Sequence, residues 1–538
     1  MRMSLILCLL TGLGLTLAFP PFQWGFLAYV ALIPFFFLLR GKNVAETFRW
    51  SYLCGLIISI GTLYWINWVT LPGGIAAILV LPLYLCIYAL LHNLVHRQLG
   101  EVAFVTIPFL WTGVEFLRSL GEIGFPWTLV AYTQTHYLKL IQFASVTSVY
   151  GVSFWVVLIN VLLYRLILSR HNVKAVVAYA AAVVLLFLLP WWYGNRVLSK
   201  ERAPERSLRV VLVQGNIDPM LKWNRELKEM NFATYERLSA QAMVDSPDVI
   251  IWPETATPCY LRHEPEDLQR VRRLVDSLQV PLLTGTPDYV YDLAAGFSTY
   301  NSAFLFLPQR EEIQRYAKMQ LVPFGERVPY EDAFPFSLVK KLLDALELGE
   351  GNWSRGREPV VFVMPVAGRA SLEGKSEVKF SVPICYESAF PDLVRRFVVG
   401  GAELLVVITN DAWFGRPSLP RWLCGGMYQH ARIAVFRAIE NRIAIARCAN
   451  TGISAFIDPY GRICSATDIF TEAVVAGSVP LREQETFYSR HGNIFTVVVS
   501  AIGAASVAVS PLVRGVLGKR QEVASAALTS VGSEEVAS

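Results

Sequence analysis

Three side chains that lie far apart in the sequence have types and positions that could carry covalent chemistry. Glu254 follows the apolar run DVII, which predicts a carboxylate at a strand end, where the sites of α/β proteins usually form. Lys318 lies in the segment RYAKM, which leads into LVPFGE. Cys385 follows the apolar run KFSVPI and precedes an expected helix over residues 388–398. Because the dipole and free amide groups of a helix N-terminus lower the pKa of a thiol, we expect a reactive thiolate there.

Each of these residues also has an ordinary interpretation. A glutamate at a strand end is commonly a solvated or capping carboxylate, and a lone lysine commonly lies at the surface. A cysteine between isoleucine and tyrosine is commonly a small buried residue. Considered one at a time, the three residues therefore do not identify a function.

The composition divides the chain into an apolar part and a globular part. Of the 538 residues, 54% are hydrophobic and 17% are charged, and the mean hydropathy is +0.41. Residues 1–200 contain 12 Lys and Arg, 4 Asp and Glu, and nine of the 14 Trp. This pattern is typical of a membrane domain with aromatic anchors at the lipid interface. It excludes a disordered chain and does not indicate a nucleic-acid surface.

Apolar stretches long enough to cross a bilayer core of about 30 Å predict eight transmembrane helices. Seven precede residue 200, and the first of them could alternatively be a cleaved signal peptide, although six more follow it. A polar Ser/Ala/Glu tail over 514–538 is expected to be disordered. The eight stretches are 4–19, 22–39, 50–70, 74–95, 102–120, 141–164, 175–193 and 494–513.

Loop charges predict the orientation of these helices, because Lys and Arg resist translocation. Alternate loops carry the basic residues, whereas the opposite loops at 20–21 and 71–74 carry no charge. The third opposite loop, 121–140, carries only Lys139 and Glu122, with Arg118 at its edge. Both termini are therefore expected in the cytoplasm, and seven spans place the following domain in the periplasm of a bacterium. Arg196 and Lys200 oppose the trend, but they open a large domain, where the charge rule is weak.

After a polar linker over 200–207, short β-branched runs alternate with helical segments over residues 208–485. This pattern predicts one layered α/β domain with two sheets and with helices outside them. The expected strands lie in LRVVLVQGN, DVIIWPET, VPLLTGT, STYNSAFLFL, KFSVPICYES, AELLVVITND, AIARCAN and ISAFIDPYG.

The eight cysteines and seven histidines give no support for a metal site, because the sequence contains neither a CxxC pair nor HExxH. A disulfide framework is not expected. Cys259 lies five residues after Glu254, however, and an oxidising periplasm could pair it with another thiol.

The order and local motifs of the three candidate residues resemble the nitrilase, or carbon-nitrogen hydrolase, superfamily with its Glu-Lys-Cys triad. The matching segments are WPE at 252–254, the Lys318 segment, CYE at 385–387 and TNDAWF at 409–414. RAIENR at 437–442 and ANTG at 449–452 match as well. With seven spans before this domain and one after it, residues 1–513 resemble the bacterial apolipoprotein N-acyltransferases. The resemblance implies a nitrilase-like αββα sandwich fused to an α-helical multi-pass membrane domain.

The resemblance also implies an activity, which is the last step of lipoprotein maturation at the inner membrane. An acyl chain would pass from a phospholipid, expected to be phosphatidylethanolamine, to the α-amino group of a diacylglyceryl-modified N-terminal cysteine of an apolipoprotein. Glu254 would be the general base, and Cys385 the nucleophile that forms a thioester. Lys318, with backbone amides near Cys385, would stabilise the tetrahedral oxyanion. No cofactor or metal and no nucleic-acid partner is implied, and we expect a monomer in contact with membrane lipids.

Five further residues carry over from the family motifs as supporting or substrate-binding residues: Trp223, Glu326, Tyr386, Glu387 and Trp413. Glu326 is expected to be a second carboxylate near Lys318, and Glu387 to support the loop behind the nucleophile. The alternative for each is a structural hydrogen-bonding role. The apolar loop 413–427 and the amphipathic segment 336–348 predict lipid contact, with packing against neighbouring loops as the alternative.

Two other functions compete with this interpretation. A membrane-tethered amidase or nitrile hydrolase would keep the triad and give the acyl group to water, although one anchoring helix would be enough for tethering. A non-catalytic transporter or lipid-binding scaffold would carry a degenerate nitrilase domain. The complete set of Glu254, Lys318 and Cys385 argues against the scaffold, as does the scarcity of charges within the spans, where Glu115 is the exception.

Overall fold

The computed structural model describes residues 1–200, 204–218, 225–292, 296–345, 352–366 and 376–513. Trp223, part of the expected linker and the expected tail over 514–538 lie outside the described residues. We call residues 1–200, together with the helix Ile494–Val513, the membrane part. The region between them is the α/β domain.

Helices make up most of the membrane part. Proline stands in the first turn of several of them, where its missing N–H group leaves no hydrogen bond unmade. For this reason the expected span 74–95 is interrupted, and a new helix begins at Pro82. The helices are Arg2–Ala18, Ile33–Leu39, Val44–Leu63, Ile66–Val69, Leu71–Val80, Pro82–Leu99, Ile107–Leu117, Leu138–Ile141, Ala144–Leu168, Val173–Ser199 and Ile494–Val513.

Within the described residues, four helical stretches are long and apolar enough to cross a membrane: Leu71–Leu117, Ala144–Leu168, Val173–Ser199 and Ile494–Val513. The first of these contains the expected span 74–95 and most of the expected span 102–120. Arg2–Ala18 and Gly25–Leu39 are apolar but shorter. The helices are compatible with a membrane domain, and the number of eight spans stays a prediction.

The described strands of the α/β domain form two six-stranded sheets of the same design. The first has the order β12-β1-β2-β3-β4-β5, and the second has the order β11-β10-β9-β8-β7-β6. In each sheet three central strands are parallel and the flanking strands are antiparallel. The strands are β1 Ser207–Gln214, β2 Val249–Ile251, β3 Leu282–Asp292, β4 Gly296–Phe306, β5 Gln314–Ala317, β6 Phe362–Pro365, β7 Glu377–Ser381, β8 Leu404–Thr409, β9 Ile445–Ala449, β10 Ala455–Ile457, β11 Ile463–Ala466 and β12 Ala473–Pro480.

Side-chain alternation along the strands builds the layers. In β1, Leu208, Val210 and Leu212 pack into the core between the two sheets, whereas Val211 and Val213 face the helices on the other side. Helices Arg225–Ala242 and Pro265–Leu278 connect β1, β2 and β3, and helices Pro391–Val399 and Gly425–Asn441 connect β7, β8 and β9. The short helices Phe336–Ala345 and Phe487–His491 lie outside these units.

Helix Gly425–Asn441 joins the second sheet to the membrane part. Its residues Ile433, Phe436 and Ile439 share one buried apolar cluster with the membrane helices. Glu440 accepts hydrogen bonds from the Ser148 hydroxyl and the Val149 N–H, both at 2.8 Å, where helix Ala144–Leu168 is kinked. The α/β domain is therefore packed directly on the membrane part.

All eight runs that the sequence predicts as strands contain strands. The sequence did not predict the edge strands of the two sheets, which are β12 and β5 in the first sheet and β11 and β6 in the second. The start predicted for the helix over 388–398 was wrong. A 3-10 turn covers Cys385–Ala389, and the α-helix begins at Pro391, because proline restricts Phe390 before it to an extended conformation.

Cysteine labelling tests the orientation predicted from the loop charges. Cys464 is the exposed native cysteine, so the probes belong in a Cys464→Ser background. We expect a membrane-impermeant maleimide to label Ser199→Cys from the periplasmic side of spheroplasts, and Ser530→Cys only after the inner membrane is permeabilised. The opposite order of labelling would place the α/β domain in the cytoplasm.

Candidate active site

The carboxylate of Glu254 is buried at the carboxyl end of β2 and is fixed by three donors. Its Oε1 accepts hydrogen bonds from Asn301 Nδ2 at 2.8 Å and from Lys318 Nζ at 3.4 Å. Its Oε2 accepts from the backbone N–H of Asn410 at 2.8 Å. The carboxylate therefore connects residues that follow β2, β5 and β8 with a residue of β4.

The turn that presents Glu254 is tight. Thr255 has a φ of +46°, a left-handed conformation that costs a non-glycine residue about 1–3 kcal/mol. Strand β3 lies so close behind the turn that a Cβ atom at Gly285 would be 2.6 Å from the Cα of Glu254. Glycine at that position allows the sheet to support the turn from behind.

Lys318 follows β5, and its ammonium group lies between two carboxylates. Nζ is 2.8 Å from Oε1 of Glu326 and 3.4 Å from Oε1 of Glu254, and the side chain is 1% exposed. Burial lowers the pKa of Lys318, but the charges of Glu326 and Glu254 outweigh it and hold the pKa above its ordinary value. Lys318 therefore stays a cation at neutral pH. Glu326 is held in turn, since its Oε2 accepts from the Val322 N–H at 2.8 Å.

Cys385 opens the 3-10 turn after β7, with a φ of +51° and a buried thiol. Burial and the charge of Glu254 raise the pKa of the Cys385 thiol, while the charge of Lys318 acts in the opposite direction, and the net pKa is raised. The lowered pKa expected from a helix N-terminus was wrong, because the α-helix begins only at Pro391 and the thiol is desolvated. The thiol is protonated at neutral pH and needs a base to become a nucleophile.

Glu387 fastens the loop of Cys385 to the loop of Lys318. Its Oε1 accepts from the Tyr316 hydroxyl at 2.6 Å and from the Met319 and Gln320 N–H groups at 2.7 and 3.1 Å. Its Oε2 accepts from the N–H of Ile384 at 2.7 Å, next to the candidate nucleophile. Burial raises the pKa of this carboxyl against the effect of its hydrogen bonds. The contacts give Glu387 the geometry of a positioning residue.

Residues of the membrane part close the site on one side. The Tyr386 hydroxyl donates to the carbonyl of Gly124 at 2.7 Å, and its ring stacks with that of Trp127 at a centroid distance of 6.2 Å. The Trp127 ring also lies 5.1 Å from that of His430 and 5.8 Å from that of Phe414. The candidate nucleophile is thus enclosed between the α/β domain and the loop before helix Ala144–Leu168.

Several buried polar residues near Glu254 and Cys385 were not predicted as site residues from the sequence. Asn301 donates to Glu254 and, at 3.4 Å, to Glu326. His430, Asp411 and Arg447 form a buried polar cluster next to Cys385, in which Asp411 lies 2.8 Å from the His430 ring and 2.7 Å from the Arg447 guanidinium. The sequence signal that could have identified them is a polar residue inside an otherwise apolar strand or helix. Such a residue is buried only when it has hydrogen-bond partners.

The remaining predicted residues are less well defined. Trp413 is half-buried in the 3-10 turn Asp411–Phe414, so its role stays a prediction. Trp223 lies outside the described residues. In the loop 413–427, Trp422 is 56% exposed, but Cys424 and Met427 are buried, so this loop is only partly free for lipid.

Cys259 is a free, buried thiol, as are the other cysteines apart from the exposed Cys464. Its sulfur lies near the carboxylates of Glu264 and Asp267, the one such cluster among the described residues. The ammonium of Lys228 binds both carboxylates, at 2.7 Å from Glu264. The two carboxylates are therefore already neutralised by the ammonium group of Lys228.

The two-sheet domain, the buried residues at its strand ends and the attached helices define a carbon-nitrogen hydrolase domain joined to a membrane part. The carbon-nitrogen hydrolase family matches residues 209–487, and the apolipoprotein N-acyltransferase N-terminal domain matches residues 11–162. Among solved structures, Nit3 of Saccharomyces cerevisiae, from the nitrilase superfamily, is 17% identical with a TM-score of 0.36, covering 52% of this chain and 92% of its own.

Relatives over nearly the full length specify the family further. The chain is 38% identical over 524 residues to the apolipoprotein N-acyltransferase of Geobacter metallireducens, covering 94% of this chain and 95% of that protein. It is 34% identical over 522 residues to that of Chlorobaculum tepidum, with coverage of 93% and 94%. The chain belongs to the apolipoprotein N-acyltransferase family, and the family and fold class predicted from the sequence are confirmed.

Alkylation of Cys385 by iodoacetamide tests the electrostatics of the site. Because the pKa of the thiol is raised above its ordinary value of 9.0, the alkylation rate should climb with pH and should still be rising at pH 9. Removing a positive charge with Lys318→Met should raise the thiol pKa further and slow alkylation at a given pH. Mass spectrometry of the Cys385 peptide gives the rates, and the exposed Cys464 is the internal control. A plateau below pH 9, or faster alkylation in folded Lys318→Met, would contradict the assignment.

Proposed function

We propose that this chain transfers an acyl chain from a phospholipid to the α-amino group of the diacylglyceryl-modified N-terminal cysteine of an apolipoprotein. The observation that carries the proposal is the enclosure of the Cys385 thiol, 7% exposed, between the α/β domain and the membrane part. A lipid ester can reach such a site from the bilayer, whereas the apolar surroundings limit the access of water.

A cavity between the membrane helices supports a phospholipid as the acyl donor. It has a volume of about 80 Å³, room for a small segment of a lipid, and its walls include the apolar side chains of Phe19, Ile58 and Leu85. Arg118 also lines it, as does the carboxyl group of Glu115, and the Nε and Nη2 atoms of Arg118 are buried without a hydrogen-bond partner among the described residues. Because guanidinium N–H groups pair well with phosphate oxygens, we assign Arg118 to the phosphodiester of the donor.

The short helix Phe336–Ala345 supports contact with the lipid surface. Leu338 and Leu342 are one helical turn apart on the same face and are 62% and 58% exposed. Phe334, just before the helix, is 84% exposed. An apolar face of this kind is suited to lie in the interfacial layer of a membrane.

In the first half of the proposed reaction Glu254 removes the proton of the Cys385 thiol, and the thiolate attacks the ester carbonyl of the phospholipid. The oxyanion that forms is stabilised by the Lys318 ammonium and by backbone N–H groups near Cys385. When the tetrahedral intermediate collapses, the ester C–O bond breaks. Glu254 returns its proton to the departing oxygen, and a lysophospholipid leaves a thioester on Cys385.

In the second half the α-amino group of the apolipoprotein attacks the thioester carbonyl. Glu254 takes a proton from the attacking nitrogen. The C–S bond then breaks, and Glu254 passes this proton to the released Cys385 thiolate. The product is an amide, which is more stable than the thioester. In this proposal Glu326 keeps Lys318 in place, Glu387 keeps Cys385 in place, and neither exchanges protons with the substrates.

For the cellular setting we propose a monomer in the bacterial inner membrane, with the α/β domain in the periplasm and both termini in the cytoplasm. Loop charges support this orientation. Phosphatidylethanolamine is the proposed donor, and the acceptor reaches the site from the same outer leaflet.

The lifetime of the thioester distinguishes a transferase from a hydrolase. We expect purified protein that is mixed with phospholipid, without an acceptor, to gain one acyl mass on the Cys385 peptide and to release one equivalent of lysophospholipid. The label should persist until a diacylglyceryl-cysteinyl peptide is added, and should then appear on the amino group of that peptide. Cys385→Ala, which removes only the thiol, is the control and should gain no label.

Two results would overturn the proposed function. Continuous release of free fatty acid without an acceptor, at the rate of the peptide reaction, would identify water as the acyl acceptor. Full activity of folded Cys385→Ala would remove the thioester from the reaction.

A further inference from the structure

A buried histidine that the proposed reaction does not use lies directly behind the nucleophile. His430 is fully buried on helix Gly425–Asn441. Its Nε2 is 3.1 Å from the backbone carbonyl oxygen of Cys385 and 3.0 Å from the Ser388 hydroxyl. Because a carbonyl oxygen can only accept, Nε2 carries the hydrogen of its bond to Cys385.

The ring of His430 has a fixed orientation. Its Nδ1 lies 2.8 Å from Oδ1 of Asp411, which also accepts from the Thr409 hydroxyl at 2.8 Å. Nη2 of Arg447 binds the other oxygen of this carboxylate at 2.7 Å and lies 3.1 Å from Nδ1 of His430. Burial raises the pKa of Asp411, but the charges of Arg447 and His430 outweigh it and hold the pKa well below its usual range. A permanent carboxylate therefore holds the imidazole in the plane that points Nε2 at Cys385.

Fixing the Cys385 carbonyl fixes the next N–H group. The peptide unit is planar and trans, so the N–H of Tyr386 points in the direction opposite to the carbonyl of Cys385. This N–H lies in the first turn of the 3-10 segment, where donors have no acceptor within the helix. It is one of the backbone amides available to an oxyanion formed at Cys385.

We infer that His430 is a positioning residue that aims the Tyr386 N–H at the oxyanion by holding the carbonyl of Cys385. The inference rests on the proposed function only in requiring that Cys385 be acylated. It gives His430 no proton transfer and no contact with either substrate.

The same helix connects this anchor to the membrane part. Gln429, the preceding residue, accepts hydrogen bonds from the indole N–H groups of Trp65 and Trp127 at 3.2 and 2.9 Å. Its amide nitrogen donates to the carbonyls of Pro20 and Thr62 at 3.2 and 3.1 Å. These four bonds tie the helix that carries His430 to the membrane part.

Two reactions of the same thiol separate this role from others. Acylation by p-nitrophenyl octanoate passes through a tetrahedral oxyanion, and the burst of nitrophenol reports it for a transferase and a hydrolase alike. Alkylation by iodoacetamide forms no oxyanion. Misplacing one oxyanion donor should lower the acylation rate by about 100-fold, because donor geometry has an effect of this order. The alkylation rate should change less than about twofold, since the thiol itself is untouched.

The matched variants are His430→Gln and His430→Asn, which differ by one methylene. Glutamine can place an N–H donor where Nε2 lies, whereas asparagine reaches Asp411 but not the Cys385 carbonyl. We expect the ratio of acylation to alkylation to stay near that of the unaltered protein with glutamine and to fall about 100-fold with asparagine. His92→Asn, at a buried histidine of the membrane part, should leave both rates unchanged.

Equal ratios in the two variants, or parallel losses of both rates, would overturn the inference. If His430→Asn does not fold, Ser388→Ala tests the same carbonyl, because the Ser388 hydroxyl donates to it at 2.8 Å. A lowered ratio in Ser388→Ala would then support the role, and an unchanged ratio would overturn it. Failure of lipid transfer to the peptide amine would affect the proposed function alone, since the ester assay does not depend on the acceptor.

Discussion

The buried ammonium group of Lys318 is the interaction on which the rest of the site depends. A cation removed from water is tolerated only when nearby carboxylates and hydrogen bonds replace its hydration, and removing one partner of such a pair costs about 3–5 kcal/mol. Glu254 and Glu326 provide the carboxylates, and Asn301 donates to both of them. The ends of β2 and β5 must therefore meet the middle of β4 at one point.

The same electrostatics explains why the thiol is stored in its neutral form. Cys385 lies in a desolvated position where the charge of Glu254 disfavours a thiolate. A neutral thiol is protected from oxidation and from stray electrophiles, and in the proposed reaction it becomes a nucleophile when Glu254 removes its proton. The base and the nucleophile are therefore coupled through charge as well as through position.

Contacts between the domains give the site its second property, which is separation from bulk water. Tyr386 binds Gly124, Gln429 binds Trp65 and Trp127, and Glu440 binds the kink at Ser148. These polar contacts lie within a largely apolar interface and fix how the second sheet sits on the membrane helices. For a reaction with two lipid substrates, such an arrangement brings the thiol to the membrane.

The sequence predicted the parts that depend on local pattern. β-Branched runs identified the central strands, and the order of Glu254, Lys318 and Cys385 identified the family. The edge strands β5 and β12 were missed because their segments lack a clear apolar alternation. The raised pKa of Cys385 and the roles of Asn301 and His430 depend on burial and on contacts between distant segments. Asn301 and Glu254, for example, are 47 positions apart in the sequence. The local sequence pattern does not encode such contacts.

Two-substrate kinetics show whether the acyl group rests on Cys385 between two separate half-reactions. Initial rates are measured at several phospholipid concentrations for each of several concentrations of the diacylglyceryl-cysteinyl peptide. We expect parallel lines in double-reciprocal plots, because the lysophospholipid leaves before the amine reacts. Lines that intersect would mean that both lipids bind before any bond breaks, and would contradict the thioester account.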